Sequence, residues 1–436
     1  MTPIPWMIGA PIAGAQQAAT AGVEFARVRR QSEALCRPLS AEDMMVQSCA
    51  EASPAKWHLA HTTWFFETFL LREFLPGYRE FDARFLWLFN SYYNAISDQP
   101  EKRLRASFSR PGLDAVFAYR RHVEEGIERL LESNPAPEVL ERLALGLNHE
   151  QQHQELIATD IKHALWTNPL RTAYAAGAAP NPRPDPVPDP LPDRRYVEYG
   201  GGLLEVGFPG GGFSFDNELP RHAVYVRPFA LASRLVTCAE YLDFMEAGGY
   251  RRPQLWLAEG WQCVQREGWQ APLYWMFEEG VWRIYTMGGR ESFESLAATP
   301  VCHVSYFEAD AFARWSGLSL PGEAEWEVAA CAAPIEGNFL ENGRLHPEAC
   351  SRQSSLHPAQ LYGDVWEWTR SPYIAYPGFR PAPGALGEYN GKFMSNQMVL
   401  RGGSAVTPKS HVRATYRNFF PPATRWQFSG IRLATL

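Results

Sequence analysis

A chain of 436 residues with a formal net charge of -7 has no basic excess to attract nucleic acid or an anionic membrane. Apolar residues make up 46% and charged residues 20%, the balance of a soluble globular protein with room for two or three cores. No apolar run approaches the roughly 18–20 residues that span a bilayer, and Met1 to Thr20 lacks a basic signal-peptide region. Seven cysteines without a CxxC pair argue against a disulfide framework or zinc ribbon. A reduced, cytoplasmic enzyme is the expectation.

From about Val23 to Trp166 the pattern is helical. After a helix near Glu24–Cys36, Ser53-Pro54 predicts an N-cap followed by proline at the first helical position. That helix should run to about Phe74, with Trp57, His61, Trp64, Phe65 and Thr68 on one face. Further helices are expected at about Leu113–Leu131 and Pro137–Trp166, completing the inventory of a four-helix bundle. The irregular connection from Pro76 to Ser109 is long for a compact bundle, and such connections are often functional. Ala175 to Arg195 is too rich in proline for helix or central strand and predicts a stiff linker. Beyond it, short strand-like runs (Ala223–Val226, Val399–Arg401) alternate with glycine, tryptophan and helices at Tyr306–Ser316 and from Glu323. The expected architecture is an all-α bundle over 20–172, a linker over 173–195 and an α+β domain over 196–436.

The segment Asn148-His149-Glu150-Gln151-Gln152-His153-Gln154-Glu155 carries the chemistry. Histidines four apart project from one helical face, one turn above the other, so both imidazoles can reach one metal ion. Continuing that face gives Leu145, His149, Gln152, His153, Leu156 and Asp160, an apolar stripe broken where a core should be. His149-Glu150-x-x-His153 also fits the zinc-protease motif, with Glu150 as general base. No glutamate stands near Ala173 to supply the third ligand, and Leu156 and Thr159 break the longer form of that motif. A better third ligand lies upstream, where His58 or His61 could contribute. Three histidines without a carboxylate leave up to three open positions, which suits Fe(II) binding a substrate and O₂ together, although spacing alone admits zinc.

WHLAHTTWFFE, LFNSYYNA, NHEQQHQE, GDVWEWT and RGGS, in that order, resemble the sulfoxide synthases of ergothioneine biosynthesis over nearly the whole chain. The resemblance implies a DinB-like four-helix bundle followed by a domain similar to formylglycine-generating enzymes, a variant of the C-type lectin fold. It implies Fe(II) held by His61, His149 and His153, with His58 structural. It also implies O₂-dependent joining of a thiol sulfur to the imidazole C2 of hercynine (Nα-trimethylhistidine), with Gln152 hydrogen-bonding that imidazole. Formylglycine-generating enzymes bind copper through two cysteines after RGGS. Thr407 and Val412 stand at those positions here, so the second domain is expected to be a scaffold that closes the substrate pocket, with Trp366-Glu367-Trp368 in its core. A DinB-like thiol transferase working without O₂ is the other class of enzyme that this ligand set admits.

Departures from the better-known members narrow the substrate. Their loop of asparagine, tryptophan and an acid reads Asn418-Phe419-Phe420 here. Asn418 and the Phe419 face can still meet a trimethylammonium group, whereas Phe420 cannot bind an amine. Where those members hold the two carboxylates of γ-glutamylcysteine with a pair of arginines, this chain has Gln99, with Lys102, Arg103 and Arg105 nearby. One clamp is gone, and free cysteine becomes the expected donor. A phenol near the iron can supply a proton or hydrogen atom to the oxygen side of the reaction. Tyr92 and Tyr93 are the expected source, against Tyr373 and Tyr376 in the loop after WEWT, of which Tyr376 is read as substrate-binding.

Overall fold

The computed structural model describes residues 14–175, 193–351 and 356–435. The proline-rich stretch expected as a linker falls largely on 176–192, outside the described residues. Two compact units divide the chain. The first is Met1–Asn168 with two later segments, Pro209–Phe215 and Pro381–Tyr389. The second is Pro169–Phe208, Asp216–Arg380 and Asn390–Leu436.

In the first unit four long helices form the bundle: α1 (Gly14–Cys36), α2 (Ala55–Phe66), α3 (Leu113–Glu132) and α4 (Pro137–Thr167). Every residue of α2 is buried, and it packs against both α3 and α4. A π-helical turn, Glu67–Leu71, and a last α turn, Arg72–Phe74, carry it to the end expected from sequence. Glu67 lies in that π turn, buried and accepting hydrogen bonds from the Tyr119 and Tyr78 hydroxyls at 2.6 and 2.7 Å. The start of α2 differs from expectation by one residue. Pro54 takes the cap position, and its carbonyl accepts from the amides of Trp57 and His58. Ser53 is drawn instead into tertiary contacts, its hydroxyl accepting from Arg105 and its amide donating to Asp160.

Polar groups inside the bundle are matched to one another, as burial requires. Lys56 donates to the carbonyls of Phe108, Ser109 and Pro111 at 2.9 to 3.1 Å, tying down the approach to α3. Glu150 of α4 accepts from Ser32 at 2.7 Å, Arg29 at 2.9 Å and Arg120 at 3.3 Å. Its carboxylate therefore faces α1 and α3, fully engaged as a structural anion.

The second unit is α+β. Its largest sheet has four strands in the order Asn418–Phe420, Met398–Arg401, Trp366–Pro372, Ser429–Gly430, the first pairs antiparallel and the last parallel. Two three-stranded sheets and two two-stranded ribbons complete it. Helices Cys238–Glu246 and Tyr306–Trp315 each open with a reciprocal capping box, Thr237 with Glu240 and Ser305 with Glu308. Glu367 is fully buried between the Trp326 indole N–H and the Arg432 guanidinium, each at 2.8 Å. Trp368 donates to the Val304 carbonyl at 2.9 Å, so the Trp366-Glu367-Trp368 run is interior architecture. Gly402 has φ +99°, and a Cβ there would lie 2.5 Å from the Leu361 carbonyl oxygen. Only glycine fits that turn. Among the described residues no helix is long and apolar enough to cross a membrane, and all seven cysteines are unbridged.

Removing the Glu150 carboxylate takes the most buried anion from two buried guanidinium groups, leaving them Glu124 and Glu33 at the edge of the bundle and neutral hydroxyl and carbonyl acceptors. Glu150→Ala should lower the unfolding free energy of the metal-free protein by about 3 kcal/mol or more, with Glu150→Gln less damaging because it still accepts hydrogen bonds. Chemical denaturation measures this, and a loss below about 1 kcal/mol for the alanine variant would show that the network is not holding the bundle.

Candidate metal centre

Two helices and one loop build the site. His149 and His153 lie one turn apart on α4, and His61 faces them from α2. Among the described residues these three form a group able to hold a metal, with one ligand atom from each lying within 4.8 Å of the others. All three are buried. The His61 ring is held between Trp57 and Trp64, its helical neighbours at i−4 and i+3, with near-parallel planes at 4.5 and 5.5 Å. Its Nδ1 lies 2.6 Å from the Phe89 carbonyl oxygen. Nδ1–H therefore donates there, leaving the Nε2 lone pair for the cluster. His149 packs on Phe65 at 4.6 Å, and its buried Nδ1 has no hydrogen-bond partner among the described residues. His58, one turn before His61, instead meets the His153 ring nitrogen Nδ1 at 2.8 Å.

Electrostatics keep the rings in the ligating form. Burial, helped by the neighbouring imidazoles, pulls His61 and His153 well below the ordinary histidine range. Burial brings His149 down to about 4, against the opposing pull of Glu150. At neutral pH three uncharged imidazoles converge with no carboxylate among them, a donor set that fits a divalent transition metal. The orphaned His149 nitrogen is a further sign that the cluster is built for something beyond packing.

The connection between α2 and α3 forms one wall. Asn90 organises it, accepting from the amides of Ser91 and Tyr93 and donating to the carbonyls of Tyr93 and Ser97 at 2.7 to 3.3 Å. Tyr93 is thereby buried among Trp64, Phe65 and Phe69, and burial drives its phenol pKa up. Half-buried Tyr92 lies 6.2 Å, ring to ring, from Tyr389, which in turn lies 6.5 Å from His149. Glu388 fastens this second segment by accepting from the Asn94 and Ala95 amides at 3.2 and 2.9 Å. Tyr389 was not anticipated. It lies more than 200 residues beyond His149, in a stretch with no motif to mark it.

The basic residues of that connection separate by environment. Lys102 donates to the Glu51 carbonyl, and exposed Arg103 pairs with Glu101. Arg105 alone is buried, its guanidinium 3.4 Å from the centre of the Trp57 ring and bonded to the Ser53 and Ser91 hydroxyls at 2.8 and 3.0 Å. Among the described residues it forms no ion pair, and burial pulls its pKa down to about 10 against the opposing pull of Tyr92 and Asp160. Gln152 is half-buried on the His149 face, while the Gln99 amide donates to Asn94 at 3.2 Å.

Other residues singled out from sequence belong to the second unit. Asn418 bonds the Phe419 amide through its own carbonyl oxygen, Phe419 stacks at 4.0 Å on Tyr373, and Phe420 meets Trp426 edge-on. The Tyr373 hydroxyl accepts from Asn217 at 2.9 Å. Tyr376 is buried, with its hydroxyl accepting from Arg401 at 3.2 Å and Arg417 lying 3.9 Å over its ring. Thr407 bonds Ser404 and Val412 packs with Trp326, so two side chains that cannot bind copper fill those positions.

The DinB superfamily matches residues 24–157, and the sulfatase-modifying factor enzyme 1-like domain matches 184–435. The hercynine oxygenase of Mycobacterium tuberculosis is 33% identical over 405 residues, covering 88% of this chain and 91% of its own length. That of Mycolicibacterium smegmatis is 30% identical with the same coverage. The formylglycine-generating enzyme of Streptomyces coelicolor is 35% identical, but over only 54% of this chain. With identity of 33% across 88% of its length and both domain types matched, the chain belongs to the hercynine oxygenase family, the sulfoxide synthases of ergothioneine biosynthesis.

Proposed function

We propose that the chain is a non-haem Fe(II), O₂-dependent sulfoxide synthase joining the imidazole C2 of hercynine to the sulfur of cysteine. The observation that carries this reading is the neutral three-histidine group of a hercynine oxygenase relative, with no carboxylate to offset the metal's charge. In the overall change, C2–H and S–H are lost and a C–S bond forms. One oxygen atom of O₂ stays on sulfur and the other leaves as water, so four electrons balance. Iron bound there would supply O₂ activation and favour the thiol as thiolate. The bundle residues set the rest. The His61 ring is fixed by two indoles and a carbonyl, Gln152 offers an amide to the substrate imidazole, and aromatic walls exclude water.

Arg105 supports cysteine as the donor. A buried guanidinium bonded to two hydroxyls and an indole face, with Asp160 acting on it only through space, can still take a carboxylate in direct contact. Cysteine brings a single carboxylate, whereas γ-glutamylcysteine brings two, and Lys102 and Arg103 are committed elsewhere. For the oxygen-side phenol, the Tyr92, Tyr93 and Tyr389 cluster of the bundle unit supports the reading better than Tyr373, whose hydroxyl and ring are both engaged.

Three measurements test these assignments. Alanine at His61, His149 or His153 should abolish stoichiometric iron and the sulfoxide product while the protein stays folded, as read by metal analysis and circular dichroism. Iron retained by His61→Ala would discard the ligand set. kcat/KM should favour cysteine over γ-glutamylcysteine by tenfold or more, and Arg105→Gln should raise the KM for cysteine about tenfold. The same variant should barely affect cysteamine, which has no carboxylate. A preference for γ-glutamylcysteine would overturn the donor. Replacing the acting tyrosine of the bundle cluster with phenylalanine should lower sulfoxide yield by roughly 10²–10⁴-fold or divert turnover to thiol oxidation. If only Tyr373→Phe changes the product ratio, the phenol comes from the second unit.

A further inference from the structure

One buried polar path leads away from the histidine cluster and has no task in the reading above. His153 Nδ1 lies 2.8 Å from His58 Nδ1, and His58 Nε2 lies 3.0 Å from Asp160 Oδ2. The same carboxylate oxygen accepts the Ser53 amide at 2.8 Å. Both His58 and Asp160 are buried, at 2% and 7% exposure, so solvent does not compete for these contacts.

Counting hydrogens fixes the direction of the path. A carboxylate accepts, so the His58 proton sits on Nε2 and points at Asp160. Neutral His58 then presents a lone pair at Nδ1, and the facing His153 Nδ1 must be the donor. That tautomer places the His153 lone pair on Nε2. The three candidate ligands are therefore not backed alike. His61 donates to a neutral carbonyl, the His149 Nδ1 has no partner among the described residues, and His153 alone is connected to an anion.

We propose that His58 and Asp160 are positioning residues that lock His153 in its Nε2-ligating tautomer and feed carboxylate electron density to the metal through a His–His path. The proposal rests on the three-histidine metal reading. Hydrogen-bond partners behind ligating histidines raise ligand basicity, and their loss typically weakens metal binding 10- to 100-fold. A purely structural alternative exists, because the Ser53–Asp160–His58 contacts also pin the start of α2 to α4. The two roles separate on the iron itself.

The test uses the full-length protein and three variants: His58→Phe, His58→Gln and Asp160→Asn. The readouts are the Fe(II) dissociation constant by chelator competition, the Fe(III)/Fe(II) midpoint potential, and the thermal stability of the metal-free form. His58→Phe should weaken Fe(II) binding about 10- to 100-fold. His58→Gln, whose carbonyl oxygen can still accept from His153, should restore most of it. Asp160→Asn keeps the shape but removes the charge, so Fe(III) loses support and the midpoint potential should rise. If His58→Phe does not fold, the isosteric Asp160→Asn decides. Variants that change only metal-free stability, with affinity and potential as in the parent, would overturn the relay while leaving the metal site standing. A parent protein that takes up no iron would overturn both.

Discussion

A cluster of three neutral imidazoles inside a helical core is the constraint that the first unit is built around. Burying an imidazole or a guanidinium without partners costs several kcal/mol, and α2 has no solvent face on which to place such groups. Most polar side chains that enter are therefore answered. Lys56 is met by three carbonyls, Glu150 by two arginines and a serine, Glu67 by two phenols, and His58 by Asp160 and His153. Against that background the exceptions are informative. Among the described residues of this unit the His149 Nδ1, the Thr68 hydroxyl and the Gln99 side-chain oxygen have no hydrogen-bond partner, and buried Arg105 bonds two hydroxyls without an ion pair.

Trp57 lies between the imidazole cluster and that arginine. Its indole is stacked on His61 on one side and carries the Arg105 guanidinium on the other, at 4.5 and 3.4 Å. A flat aromatic spacer holds a cation near neutral ligands without an acid that would bind it permanently. The arrangement suits a substrate that offers its sulfur to a metal and its carboxylate to an arginine. It also explains why the connection between α2 and α3 is long. That segment must deliver the Phe89 carbonyl, the Tyr92-Tyr93 pair and Arg105 to one region, and Asn90 supplies the turn hydrogen bonds that a regular element would otherwise provide.

Much of this was legible in sequence because helical spacing is a strong rule. The i, i+4 pair His149 and His153 and the interruption of the α4 stripe at Asp160 follow from 3.6-residue periodicity, whereas the choice of His61 over His58 on α2 came only from the family resemblance. The metalloprotease motif fails on other grounds: its third ligand is missing from the sequence, and the arginines of α1 and α3 claim the Glu150 carboxylate that would act as base. The Ser53 cap was misread because a local rule competed with tertiary demand, and Arg105 and Asp160 won the side chain and the amide. The π turn at Glu67–Leu71 has no marker in composition. Tyr389 is placed by chain folding over a long sequence separation, which neither spacing nor motif encodes.

In the second unit, buried ion networks hold the sequence motifs in place. Arg401 of the RGGS run is buried against Glu327, Tyr376 and the Ala414 carbonyl. Glu367 of the GDVWEWT run is buried against Arg432 and Trp326. Removing either partner would strand a desolvated charge, a penalty that does not depend on any reaction. The positions that would bind copper carry no such penalty, and Thr407 and Val412 fill them with a hydroxyl contact and apolar packing. Matching these motifs therefore identifies architecture, whereas the proposed chemistry rests on three neutral imidazoles of α2 and α4 that converge in the bundle unit beside a buried arginine.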